Sequence, residues 1–110
     1  MAGRGDPKLM HSTYFKLEND SASKRNRFVK ACKKYLSGHS GEVKGGFFIG
    51  PRDKRIKRDV SDLGFDIAMS ILFKNVAAYH AYLKDPRHNE FIKETADISN
   101  TRRVFDCFVL

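Results

Sequence analysis

Tyr82, His88 and Asp106 are the residues of this 110-residue chain best suited to act together chemically. Tyr82 and His88 stand on either side of Asp85-Pro86, a pair that breaks one helix and opens the next. Asp85 is suited to cap the free amides of a new turn, and Pro86 to fill a first helical position where its missing N–H costs nothing. The resulting bend brings phenol and imidazole together. A phenol that donates a proton to an oxyanion, beside an imidazole that removes one, is what enolisation, aldol-type ring closure or isomerisation needs. Asp106 is the expected carboxylate partner of His88, fixing its tautomer and raising its basicity. The start of the helix acts the other way, since exposed amides and the helix dipole favour a neutral His88. The same groups have a purely structural use as well, because a His–Asp pair can pin a helix to a strand and a helical Tyr can be packing. His39 and His80 read as loop and outer-helix residues and receive no role.

The elements that must position these groups follow from periodicity. Met10 to Leu17 alternates as a first strand, with His11, Thr13 and Phe15 on one side. Asn19 to Ser23 supplies capping residues, and Phe28, Val29, Cys32, Tyr35 and Leu36 then recur with helical period up to Gly38. Val43 to Gly50 is a second strand whose Gly45-Gly46 permits a bulge. A basic loop from Pro51 to Leu63 follows, longer than a tight hairpin needs and therefore expected to move. Ile67, Met69, Ile71 and Phe73 alternate along a third strand. Val76, Tyr79, Tyr82 and Leu83 share one face of the next helix, and Phe91, Ile92 and Thr95 complete the last. Val104 to Leu110 is the final strand.

This order, βαββαβ, predicts an α+β, ferredoxin-like domain: a four-stranded antiparallel sheet with its helices on one face. Residues 1–9 read as a flexible, Gly-rich leader and residues 10–110 as the single domain. Strand parity gives the helix-side face His11, Thr13, Phe15, Ile67, Met69, Ile71 and Phe73, joined by Val104, Asp106 and Phe108. Mostly apolar walls with a few polar groups are the usual makeup of a small-molecule pocket. The opposite face is also apolar, with Met10, Tyr14, Phe48, Ala68, Leu72, Phe105, Cys107 and Val109. Such an uncovered patch marks an interface, and a two-fold homodimer with two sheets packed into an α/β barrel is expected.

Composition narrows the function classes. Hydrophobic residues make up 41% of the chain, as in a folded domain. No apolar run approaches a membrane span and the first residues lack a signal-peptide centre, so a cytoplasmic protein is expected. Cys32 and Cys107 have no metal-ligand or pairing spacing and read as free thiols. The net charge is +8, concentrated in residues 24–34 and 52–58. Few aromatics interleave that charge, so a solvated face is favoured over nucleic-acid binding. No metal cage, nucleotide loop or nucleophile triad is legible. Cofactors and metals are therefore not expected, and any chemistry would be proton transfer.

Gly64-Phe65-Asp66 opening a strand that ends at Phe73, followed by helical Tyr82 and then Pro86-x-His88, resembles the stress-responsive A/B barrel (Dabb) domain family. His11 to Lys16 is similar to the family's opening His strand, and Val104 to Asp106 to its closing strand. The resemblance spans about residues 10 to 110. It implies a dimeric α/β barrel. Some members of that family are polyketide cyclases using a Tyr and a His at places that match Tyr82 and His88, whereas a further family histidine on the third strand is Ile67 here. Three functions are thus in view: a dimeric domain binding a small hydrophobic or aromatic ligand, which is preferred; a cofactor-independent cyclase, isomerase or lyase; and a structural protein with a polyanion-binding surface.

Overall fold

The computed structural model describes residues 6–110. Its elements are β1 (Lys8–Lys16), α1 (Ala22–Leu36), β2 (Glu42–Pro51), β3 (Ile67–Phe73), α2 (Val76–Lys84), α3 (Pro86–Thr95) and β4 (Thr101–Val109). The strands form one antiparallel sheet in the order β2-β3-β1-β4. This is the ferredoxin-like arrangement expected from the sequence.

Alternation decides which face is covered. Leu9, His11, Thr13 and Phe15 of β1 are buried, as are Ile67, Met69, Ile71 and Phe73 of β3, while the residues between them are half-exposed. Against this face α1 sets Phe28, Ala31, Cys32 and Leu36, α2 sets Tyr82 and α3 sets Phe91. Phe15, Phe28 and Phe91 meet edge to face with ring centroids 4.8, 5.6 and 6.1 Å apart, tying sheet to helices at one end of the core. α1 packs beside α3, and α2 lies over β1 and β3. No helix covers β4, whose residues are all exposed.

Local chemistry sets the boundaries. Ser21, Asn75 and Asp85 cap the three helices, their side chains accepting from the amides of Lys24, Ala78 and Arg87. Pro86 occupies the start of α3, as its missing donor predicts. The Gly45-Gly46 bulge is present as a register shift between Glu42 and Phe47, with Gly45 at φ +74°. The buried carboxylate of Asp66 accepts from the Leu17 amide at 2.7 Å, and its own amide donates to the Phe15 carbonyl. Asp66 therefore fastens the start of β3 to the end of β1.

Several strand boundaries differ from the sequence reading, β2 by one residue at each end and β1 and β4 by more at their starts. β1 begins at Lys8, so Lys8 and Leu9 are strand and not leader, and Leu9 is part of the core. Of the rest of the expected leader, Asp6 and Pro7 are exposed and precede the strand, and residues 1–5 lie outside the described residues. β4 begins at Thr101 and ends at Val109. The polar run Thr101-Arg102-Arg103 hides that start, because an edge strand with both faces open needs no apolar alternation.

Candidate functional site

Tyr82 projects from α2 into the space between helices and sheet, and His88 enters from the first turn of α3. Their rings meet edge to face, centroids 5.2 Å apart at 81°. The bend at Asp85-Pro86 thus joins the two residues that sequence reasoning paired. The Tyr82 ring also meets Phe73 and His39, each at 5.0 Å, and His11 at 5.8 Å. Tyr82 is only 2% exposed, yet its hydroxyl has no hydrogen-bond partner among the described residues. The hydroxyl is not sealed in either, because no enclosed side-chain nitrogen or oxygen there lacks a partner. It opens onto a cavity of about 180 Å³.

His11, Thr13, Phe15 and Met69 line that cavity from the sheet, with Tyr79 and His88 from the helices. Leu36, Phe91 and Ile92 supply apolar wall, and Arg102 and Val104 close the β4 side. Ile67, Ile71 and Phe73, expected to touch a ligand, do not reach it. All three are fully buried in the core, Phe73 beneath the rings of Tyr79 and Tyr82 of α2.

Asp106 does not serve His88. Its Oδ1 accepts from His11 Nδ1 at 2.6 Å, and its Oδ2 from the Tyr79 hydroxyl at 3.4 Å. The cause is register: His11 and Asp106 are direct partners across β1 and β4, where side chains on one face stand closest. With Nδ1–H donated to the carboxylate, Nε2 of a neutral His11 accepts from the Thr13 hydroxyl at 3.3 Å. His88 keeps its imidazole free of any protein hydrogen bond among the described residues. Burial first, and then the positive charge of Arg102, hold His88 below its ordinary pKa of 6.5. Burial pushes the Tyr82 phenol up, against a small opposing pull from Arg102. Both groups are neutral near pH 7, the state in which a phenol donates and an imidazole accepts.

Sequence reasoning missed three site residues. Tyr79 lies one turn before Tyr82 and was already placed on the same helical face; only its bond to Asp106 was not visible. Arg102 shares the parity of Val104 and would have been found had the strand been started at Thr101. His39 is a buried post behind Tyr82, with Nε2–H donated to the Tyr35 carbonyl at 2.8 Å and Nδ1 3.6 Å from Asp85. Nothing local in the sequence marks it. Among the described residues no group of three or more His, Cys, Asp or Glu side chains is placed to hold a metal.

The architecture recurs in solved structures. A Dabb family protein with a ferredoxin-like fold from Mesorhizobium loti superposes with a TM-score of 0.73 at 22% identity, over 94% of this chain and 98% of that one. A dimeric ferredoxin-like protein of unknown function from Thermobifida fusca gives 0.74 at 12% identity, over 96% and 93%. Hydroxynitrile lyase from Passiflora edulis gives 0.72 at 18% identity, over 96% and 95%. These likenesses establish the fold. No curated protein matches the chain. The model of the stress responsive A/B barrel domain matches residues 9–109, the same span as the sheet and helices just described, and the chain belongs to that family.

Proposed function

We propose that the chain binds a small, largely apolar or aromatic ligand in the cavity between β1, β4, α2 and α3, with Tyr82 and His88 as its polar contacts. The observation that carries this reading is the pair of unpartnered polar groups facing an open, apolar-walled space. Structural side chains at such depth normally satisfy their hydrogen bonds within the protein, and His11 and His39 do so. Tyr82 and His88 keep theirs for something else. Native mass spectrometry of freshly purified protein is the test: a bound small molecule released by Tyr82→Phe and His88→Ala supports the reading. Protein that carries no ligand and captures none from an aromatic fragment mixture argues against it.

A second reading, cofactor-independent acid–base catalysis, is favoured by the His11–Asp106 pair. A carboxylate that fixes Nδ1 orients the imidazole as in a general base, and Nε2, which holds only a 3.3 Å bond from the Thr13 hydroxyl, would have to exchange that bond for a substrate proton. Tyr82 would then donate, and His88 or His11 would accept. One structural neighbour is named as a hydroxynitrile lyase, and that likeness supports weighing an enzymatic reading. A substrate screen with His11→Ala, His88→Ala and Tyr82→Phe decides the matter, since activity that survives all three removes the mechanism.

Assembly as a homodimer through the open sheet face belongs to the same proposal. Phe48 and Phe105 are 60% and 51% exposed there, and Tyr14 packs between Phe65 and Phe105 without cover. A neighbour of the same fold is described as dimeric. A cytoplasmic setting is part of the reading too, and the free thiols Cys32 and Cys107 suit a reducing compartment. For the described residues, no helix is long and apolar enough to cross a membrane. Polyanion binding through Lys30, Lys34, Arg55 and Arg58 is not favoured: Arg55 is held by Asp53, and Arg25, Arg27 and Lys54 of the same basic segments are likewise paired with aspartates.

A further inference from the structure

We infer that the ligand of this cavity is an organic anion, a carboxylate or acidic enol carrying about one ring, and that Arg102 takes its charge. The inference rests on the ligand-binding reading above and adds the charge and size of what is bound.

Arg102 stands opposite Phe15 in the β1–β4 register, on the helix side of the sheet, and lines the same cavity as Tyr82 and His88. It is the only lining residue with a permanent charge. Among the described residues its guanidinium makes no hydrogen bond or ion pair. Its neighbour Arg103, on the other face, pairs with Asp62, and Arg25, Arg27 and Arg55 also have aspartate partners. The carboxylate on Arg102's own face of β4 is Asp106, whose two oxygens are already taken by His11 and Tyr79. Arg102 is therefore a cation without a protein partner among the described residues, at the rim of an apolar cavity, and the carboxylate on its own face of β4 is engaged elsewhere.

A planar guanidinium matches a carboxylate with two parallel N–H···O bonds, stronger and more directional than a neutral contact. Its charge already acts within the site, opposing protonation of His88 and easing ionisation of Tyr82. Size sets the other limit. The cavity of about 180 Å³ is close to the engineered cavity of about 150 Å³ that holds one benzene ring. A ring between Leu36, Phe91 and Ile92, with its charged group toward Arg102, fills that space and leaves Tyr82 and His88 against its polar edge.

The test uses matched probes on the intact chain: benzoate against benzamide, and phenylacetate against phenylacetamide, at about pH 7.5 where the acids are ionised. Binding is followed by NMR on the His88 ring in wild type, Arg102→Met and Arg102→Lys. Arg102 is exposed and unpartnered, so neither change threatens the fold. Wild type should favour each acid over its amide by about tenfold or more, with the preference lost in Arg102→Met and partly kept in Arg102→Lys. Equal affinity for acid and amide in wild type, or a preference that survives Arg102→Met, overturns the anion inference and leaves the cavity reading standing. If no probe of either kind moves His88 at millimolar concentration, both fall.

Discussion

His11 and Asp106 face each other across β1 and β4, Nδ1 to Oδ1 at 2.6 Å, one side chain almost fully buried and the other one-third exposed. This bond reaches from the core to the open edge strand, and together with the Tyr79 hydroxyl it holds the β4 side of the cavity. It also separates the two histidines. His11 is fixed by a carboxylate, whereas the His88 imidazole, across the cavity, has no protein hydrogen bond among the described residues.

Asp106→Ala should leave His11 buried without its acceptor. A loss of about 1–3 kcal/mol is expected, read as a lower urea midpoint with unchanged slope. In the double variant with His11→Phe the two losses should not add, because the second change removes the orphaned group itself. Additive losses would mean that the pair is not coupled.

Tyr82→Phe and Tyr82→Ala should separate packing from chemistry. The hydroxyl has no protein partner, so the Phe variant should keep its stability to within about 0.5 kcal/mol while losing ligand affinity. The Ala variant empties the space between Phe73, His39 and His88 and should cost about 3–5 kcal/mol. Thermal unfolding of both reads the difference.

His88 supplies a pH dependence with a defined sign. Its pKa in the folded chain lies below the ordinary 6.5, so below that pH the unfolded chain binds the proton more readily. Its contribution to stability is therefore complete above about pH 6.5 and is lost as pH falls toward the depressed folded value. His88→Gln should flatten that part of the stability profile. Arg102→Met should move the His88 titration upward by removing the adjacent positive charge, a shift measurable by NMR.

The open sheet face predicts the particle size. Light scattering at micromolar concentration should return twice the 12.6 kDa of one chain. Phe105→Asp should convert it to the single-chain mass with the helix content unchanged. A wild-type particle of 12.6 kDa would contradict dimerisation through this face.

Periodicity carried the fold. The alternations of β1 and β3 and the Asp85-Pro86 break are local signals, and each element stands within a few residues of where they place it. Asp66 shows the limit of that reasoning: its motif was visible, but its job of fastening Leu17 was not, since that bond joins residues far apart in the chain. The site divides in the same way. Tyr82 and His88 come together through a bend written in adjacent residues. The partner of Asp106 depends on the β1–β4 register, which parity narrows to one face but not to one residue, so His88 was chosen where His11 is found. His39 and Arg102 depend on packing and on the length of an edge strand, and neither has a local signature.

We propose above all that Tyr82 and His88 face a ligand and not merely each other. Titration of the protein with small aromatic fragments, observed through the ring resonances of His88, Tyr82 and the exposed His80, tests it most directly. Saturable shifts are expected at His88 and Tyr82 together, none at His80, and saturation at Tyr82 is expected to be lost in His88→Ala. Fragments that leave both residues unmoved at millimolar concentration, or that shift His80 equally, would contradict it.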